Sequence, residues 1–254
     1  MIKLNGIIVL FLFSVIGFAQ QGFVDYKVSV IKSFDDKEVE ADYPEIFEAF
    51  KNIESVINNN LLFTLSFKDN ESVFENKKSV YAGDAKFLEE ALSKTIGRNA
   101  IYYNDIVNNI YVKQQEYWGT DVLIEDDLEN FNWEITPESK QVGKYKCYKA
   151  IGKDYVVSNG KEFKDEVIAW FTPEIPIKSG PLNFGGLPGL ILKLNFNNHI
   201  YYADKIKFLN NDESIAVIRP SKGKKMSLTE FYKKEIELVK IGRKAIREGK
   251  LYNY

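Results

Sequence analysis

The residues able to do chemistry in this chain are few. Its 254 residues include one histidine, His199, and one cysteine, Cys147. A zinc site draws three or four ligands largely from those two types, so the donors fall short. A thiol–imidazole nucleophile would have to pair Cys147 with His199. Cys147 lies in Lys144-Tyr-Lys-Cys-Tyr-Lys149, where alternation gives it a face with Tyr145 and Lys149. A small buried thiol is expected there. His199 follows Asn197 and Asn198, where a turn between strands is expected, so an exposed turn imidazole is predicted. A serine nucleophile lacks any Gly-x-Ser-x-Gly elbow.

Carboxylates are plentiful, with 36 Asp and Glu. Asp121–Glu129 alone holds five, but without the spacing of a helix-loop-helix calcium loop. A solvated acidic loop is the expectation. Two carboxylates that meet across a sheet would suit a hydrolase, and spacing along the chain does not say which two meet. Glycines are concentrated in Gly180–Leu194, which also holds Pro181 and Pro188. That stretch has no Gly-Lys-Ser/Thr ending and no helix pattern begins in it, so a phosphate cradle is excluded. It carries Leu182, Phe184, Leu187 and Leu190 as well, so it reads as a rigid, partly buried turn. Catalytic residues, metal ligands and cofactor-binding residues are therefore expected to be absent, and no cofactor is called for.

The elements around these residues are short. Gly22–Phe34 alternates, with Val24, Tyr26, Val28 and Val30 on one face. Asp42-Tyr-Pro44 opens a helix whose stripe runs from Ile46 to Ile57 and stops at Asn58. Leu61–Lys68 and Glu71–Tyr81 read as a strand pair, and Asp84–Thr95 as a short helix or a loop. Short strands follow at Ala100–Tyr103, Asn109–Tyr117, Asp121–Ile124, Asn130–Ile135, Tyr145–Ile151 and Val167–Phe171. Turns are expected at Thr136–Ser139 and Ser158–Gly160, and the polar stretch Asp154–Glu166 reads as a hairpin. Leu190–Phe196, Ile200–Phe208 and Ile215–Ile218 complete the strands. Ser227-Leu-Thr-Glu230 is a capping box that opens a basic C-terminal helix. Trp133 and Trp170 sit in strand-like runs and are expected in the core, and Trp118 falls in a turn.

Regular short strands and 14% aromatic residues favour a β-rich α+β fold. The expected form is an antiparallel sheet curled toward a half-barrel, packed on the helix of the N-terminal half, with a C-terminal helix. The near balance of 34 basic and 36 acidic residues gives no footprint for nucleic acid. Lys3 precedes the apolar run Gly6–Phe18, and Gly17 and Ala19 are small, so residues 1–19 are predicted to be a cleaved signal peptide. Residues 20–254 then form a single domain, periplasmic or secreted. One cysteine cannot make an internal bridge, so export does not imply a disulfide scaffold.

The later half of the chain resembles a known family. Gly186-Leu-Pro-Gly-Leu-Ile191 spells the motif for which the GLPGLI proteins, exported proteins of the Bacteroidota, are named. Trp133-Glu-Ile135 is similar to that family's Trp-x-Ile strand, and Val142–Ala150 to its Gly-Tyr-Lys-Cys block. Ala169–Ile177 and Gly180-Pro181 resemble its approach to the motif. Lys144 stands where a second glycine is common, and Lys153–Lys164 is less regular than the family's link. The resemblance implies an exported GLPGLI-type domain with no assigned activity. Gly186, Leu187, Pro188, Gly189, Leu190 and Ile191 carry over as a motif without a role. The strand order and export also resemble a periplasmic lipoprotein carrier, an analogy of fold alone.

Three functions are consistent with this reading. The first is a non-enzymatic ligand-binding or carrier protein of the cell envelope, its ligand apolar or peptidic. The second is an envelope interaction or assembly factor whose Gly-Pro loop and basic C-terminal helix present surfaces to another protein; peripheral membrane contact through that helix is a separate expectation. The third and most remote is a carboxylate-dependent hydrolase.

Overall fold

The computed structural model describes residues 20–31, 37–42, 44–76, 99–117, 119–158, 161–210 and 212–247. The predicted signal peptide, the Asp84–Thr95 segment and Trp118 lie outside the described residues. The elements are β1 (Gln21–Val30), α1 (Lys37–Asp42), α2 (Pro44–Asn60), β2 (Leu62–Lys68), β3 (Glu71–Asn76), β4 (Ile101–Asp105), β5 (Ile110–Tyr117) and β6 (Thr120–Asp126). They continue with β7 (Glu134–Val142), β8 (Tyr145–Ser158), β9 (Lys161–Thr172), β10 (Leu190–Phe196), β11 (His199–Phe208), β12 (Lys224–Met226) and α3 (Leu228–Arg247).

The strands form one open, curled sheet in the order β12-β6-β5-β4-β3-β2-β1-β11-β10-β9-β8-β7. Among the described residues every pairing is antiparallel except that of β12 with β6. The alternation in β1 decides which face is inside. Val24, Tyr26 and Val28 are buried and stand opposite Leu65, Phe63 and Tyr201. Rings line this inner face. Phe63 stacks on Phe74 at 5.1 Å, and Tyr201 meets both edge-on. Aromatic pairs of this kind add roughly 0.5–1.5 kcal/mol each beyond the area they bury.

The helices dock by their apolar stripes. In α2, Pro44 starts the helix and Phe47, Ile53 and Ile57 are buried. Asn58 Oδ1 accepts the Val30 amide at 3.0 Å, which ties the end of α2 to β1. The capping box of α3 is reciprocal. Glu230 N–H donates to Ser227 Oγ at 3.2 Å, and Ser227 N–H donates to Glu230 Oε2 at 2.8 Å.

Three local readings differ from the structure. The turn expected at Thr136–Ser139 lies inside β7, where a bulge between Ile135 and Ser139 absorbs Pro137. Because β7 is the last strand of the sheet, the proline removes no ladder bond and blunts the edge. Asn130–Ile135 is not a strand before Glu134, since residues 127–133 are irregular, with Phe131 buried between the exposed Asn130 and Asn132. Ile215–Ile218 is irregular too. Val217 packs outside the sheet on Val73, Tyr103, Val112 and Leu123, held there by Arg219 and Glu125 at 2.6 Å.

The Gly-Pro stretch fills the hollow of the curl. Ile175, Ile177, Leu182, Phe184 and Leu187 are all buried in the main core. Ser179 and Gly185 make an isolated bridge, and Ile191 N–H returns to Ser179 O at 3.1 Å. Ser179 Oγ lies 3.0 Å from Ser72 Oγ on β3, four strands away from β10. On a flat sheet four spacings would be about 19 Å. The loop therefore lies across the concave face and reaches the far wall.

Candidate functional site

The site grows out of the irregular segment between β6 and β7. Phe131 is its anchor. Its ring lies 4.6 Å from Phe184 of the Gly-Pro loop, and its carbonyl accepts Lys153 N–H at 3.1 Å. Trp133 follows and donates Nε1–H to Gly185 O at 2.9 Å. A Cβ at Gly152 would lie 2.7 Å from the Trp133 ring, so the strand passes this close only without a side chain. These contacts lodge residues 129–134 against β8 and leave a cleft of about 510 Å³. Its walls are Glu129–Asn132 with Glu134 on one side and Ile151–Asp154 on the other.

Glu129 is the unusual group in that cleft. Burial pushes its carboxyl up to about 7, and the nearby Asp154 charge adds to the shift. Asn183 of the Gly-Pro loop donates its Nδ2–H to Glu129 Oε2, which opposes the rise, as does Lys113. Near neutrality this carboxyl is therefore divided between its acid and its carboxylate. Tyr111 and Tyr232 lie close enough to feel Glu129 and Asp154, and burial raises both phenols well above their ordinary value. α3 is brought over this end by Asp126, whose Oδ2 accepts Leu228 N–H at 2.9 Å, and by Phe231, 5.0 Å from Tyr117. Lys113 sits over the rings of Tyr102 and Phe231, at 5.2 and 5.7 Å. A protonatable acid beside a second carboxyl, amides and an aromatic ring can bind a polar or cationic group, or exchange a proton with it.

The residues singled out from sequence fall elsewhere. Cys147 is buried on β8, and burial pushes its thiol up to about 11. His199 is not exposed. Asn197 and Asn198 form the turn with φ of 47° and 61°, so His199 becomes the first residue of β11 and is buried at 4% exposure. Its Nδ1 lies 2.6 Å from Asn197 O, and burial lowers its pKa. The five acids of Asp121–Glu129 separate. Asp121 pairs with Lys222, Glu125 with Arg219, Asp126 caps α3, and Glu129 enters the cleft. Among the described residues no three His, Cys, Asp or Glu side chains converge as metal donors. Of Gly186, Leu187, Pro188, Gly189, Leu190 and Ile191, none lines the cleft. Leu187, Leu190 and Ile191 are core, and Gly186 and Pro188 are at the surface. The motif supports the site through Gly185 and Asn183, just before it. No sequence signal marks Glu129 or Asp154, which lie 25 positions apart and meet only in three dimensions.

With this geometry in place, the chain can be set beside known proteins. Residues 158–193 match the model of a family described as a protein of unknown function (Porph_ging). The match covers β9 and the Gly-Pro loop as far as Lys193, a short segment of the chain. No curated protein matches the sequence. Among solved structures, PNGF-II in its C2 crystal form is similar over 87% of this chain, at 15% identity and a TM-score of 0.52. Its P21 form gives the same coverage and identity at a TM-score of 0.50. The chain spans about a third of the length of PNGF-II. At that identity the likeness is one of fold: β-rich, with few helices.

Proposed function

We propose that this is an exported, non-enzymatic ligand-binding protein of the cell envelope, of the GLPGLI type, released to the periplasm or exterior after cleavage near Ala19. Its ligand site is the cleft at Glu129. The observation that carries this reading is a carboxyl held near 7 in an open cleft, beside Asp154, Asn130, Asn132 and Phe131. The lining favours a peptidic ligand with a basic group over an apolar one. The hollow of the sheet, where an apolar ligand would sit, holds Leu182, Phe184 and Leu187. Binding a cation would draw the proton from Glu129, so affinity rises with pH. The test is calorimetry of short peptides of varied charge, below and above pH 7. Basic peptides should bind more tightly above it, and Glu129→Gln should weaken them about tenfold. Equal binding of acidic and basic peptides, or no effect of Glu129→Gln, would overturn the reading.

A second reading is favoured by the same pair. An acid protonated near neutrality beside another carboxyl is the arrangement of carboxylate-dependent hydrolases. Turnover of chromogenic glycosides or amides that vanishes in Glu129→Gln and Asp154→Asn would support it, and turnover unchanged in both would remove it. The assembly reading draws less support, because Leu187 is 1% exposed and gives a partner no apolar anchor in the loop. Peripheral contact with anionic lipid would rest on Lys233, Lys234 and Lys240 of α3.

A further inference from the structure

The outer face of the sheet carries a second constellation, none of whose residues lines the cleft. In β9, Ala169 and Phe171 turn into the core, so Trp170 between them turns outward. Its cross-strand partners are Lys149 on β8 and Lys193 on β10. Beyond Lys193 the row continues with Tyr202 and then Lys27. From β7, Lys140 reaches over Trp170, its Nζ 3.7 Å from the ring centroid. Lys140 therefore covers one face of a half-buried indole that Lys149 and Lys193 flank in register.

Their charges are poorly matched. Lys149 pairs with Glu138 at 2.8 Å, and Lys27, further along the row, pairs with Asp204 at 2.8 Å. Among the described residues, Lys140 and Lys193 have no carboxylate within ion-pair distance. The lysines lie on β7, β8 and β10, close enough for Lys140 to feel the like charges of the other two. Lys140 reflects this, with its pKa lowered by burial and by Lys193 beside it. Lys149 keeps 20% of its side chain exposed, so the group is open to solvent from one side.

We propose that Lys140, Lys149, Lys193 and Trp170 form a binding site for an oxyanion, the phosphate or sulfate group of a soluble ligand. Several ammonium groups converging from adjacent strands can each donate a charge-assisted hydrogen bond to one tetrahedral anion. Trp170 supplies a flat apolar wall for the part of the ligand next to that group. The anion also relieves the repulsion among the lysines, so binding stabilises the fold. The site is separate from the cleft and does not depend on what the cleft binds.

The experiment uses the mature protein with inorganic phosphate and inorganic sulfate, each against chloride at matched ionic strength. Tryptophan fluorescence and the melting temperature are both recorded. Either oxyanion should give a saturable fluorescence change and a rise in melting temperature that chloride does not give. Lys140→Gln and Lys193→Gln should each weaken binding about tenfold, the loss of one charge-assisted bond. Lys27→Gln, which removes a lysine of the same row outside the cluster, should leave binding unchanged. No saturable response to either anion, or equal affinity in Lys193→Gln and Lys27→Gln, would overturn the proposal. Vesicles of phosphatidylglycerol in phosphatidylcholine make the last arm. Binding to them with no response to the free anions would overturn the soluble-ligand assignment.

Discussion

Asn183, in the Gly-Pro loop, donates a hydrogen bond to Glu129, in the wall of the cleft. The pair joins the most distinctive stretch of the sequence to a cleft carboxyl held well above its usual range. Asn183 favours the charged form of Glu129, against burial and the Asp154 charge. Replacing it with alanine should therefore raise the Glu129 pKa further above 7. Carboxyl-carbon NMR titration of wild type and Asn183→Ala would measure this, and a shift in the other direction would break the link.

Glu129 should also shape stability against pH. Its folded pKa of about 7 stands above the ordinary glutamate value of 4.5. Between those values the folded chain holds a proton that the unfolded chain has lost. Stability is then fully present below about 4.5 and falls as pH rises through 7. The full effect is at most about 3.5 kcal/mol, at about 1.4 kcal/mol per unit. Glu129→Gln should flatten this part of the profile and melt higher than wild type above pH 7. Thermal melts across the range would check it.

Two motif glycines should respond differently to valine. A Cβ at Gly189, where φ is 156°, would fall 2.1 Å from Thr172 O. Backbone cannot give way there as the end of a side chain could, so Gly189→Val should fail to fold. Gly186 has φ of 80° but nothing within 4 Å of its Cβ. Gly186→Val carries only the backbone strain, of order 1–3 kcal/mol. It should fold with a lower melting temperature. Secreted yield and melting temperature of the two variants separate these outcomes.

Cys147 should be silent in the native protein. Its thiol is buried and pushed up to about 11, so little thiolate exists at neutral pH. A thiol reagent should label it at the rate of unfolding and fully in denaturant. Fast labelling of the native chain would contradict the packing.

Much of the fold was legible along the chain. The alternation of Val24, Tyr26 and Val28 marked a half-buried strand, and the stripe of Phe47, Ile53 and Ile57 marked α2. Ser227 and Glu230 marked the start of α3 by chemistry alone. These are signals within a few residues, where backbone period and capping decide. His199 misled for a related reason. Two consecutive left-handed asparagines made the turn tighter than expected, and the histidine that follows them was carried into the strand. Pro137 suggested a turn because an edge strand, the one place in a sheet that tolerates it, is defined only by what pairs beside it.

By itself the sequence determined most of the strands, the two longer helices and the Gly-Pro character of Gly180–Leu194, since each depends on local torsions and on apolar spacing. The extent of β7 and the presence of β12 depend on their pairing partners. Only the tertiary structure decided where the Gly-Pro loop goes. The curl of the sheet brings Ser72 to Ser179 and turns the loop into core. It likewise decided that Glu129 and Asp154 share one cleft, and that Lys140 covers Trp170 between Lys149 and Lys193. Burial and electrostatic coupling depend on distance in space, and residues far apart along a chain carry no mark of it.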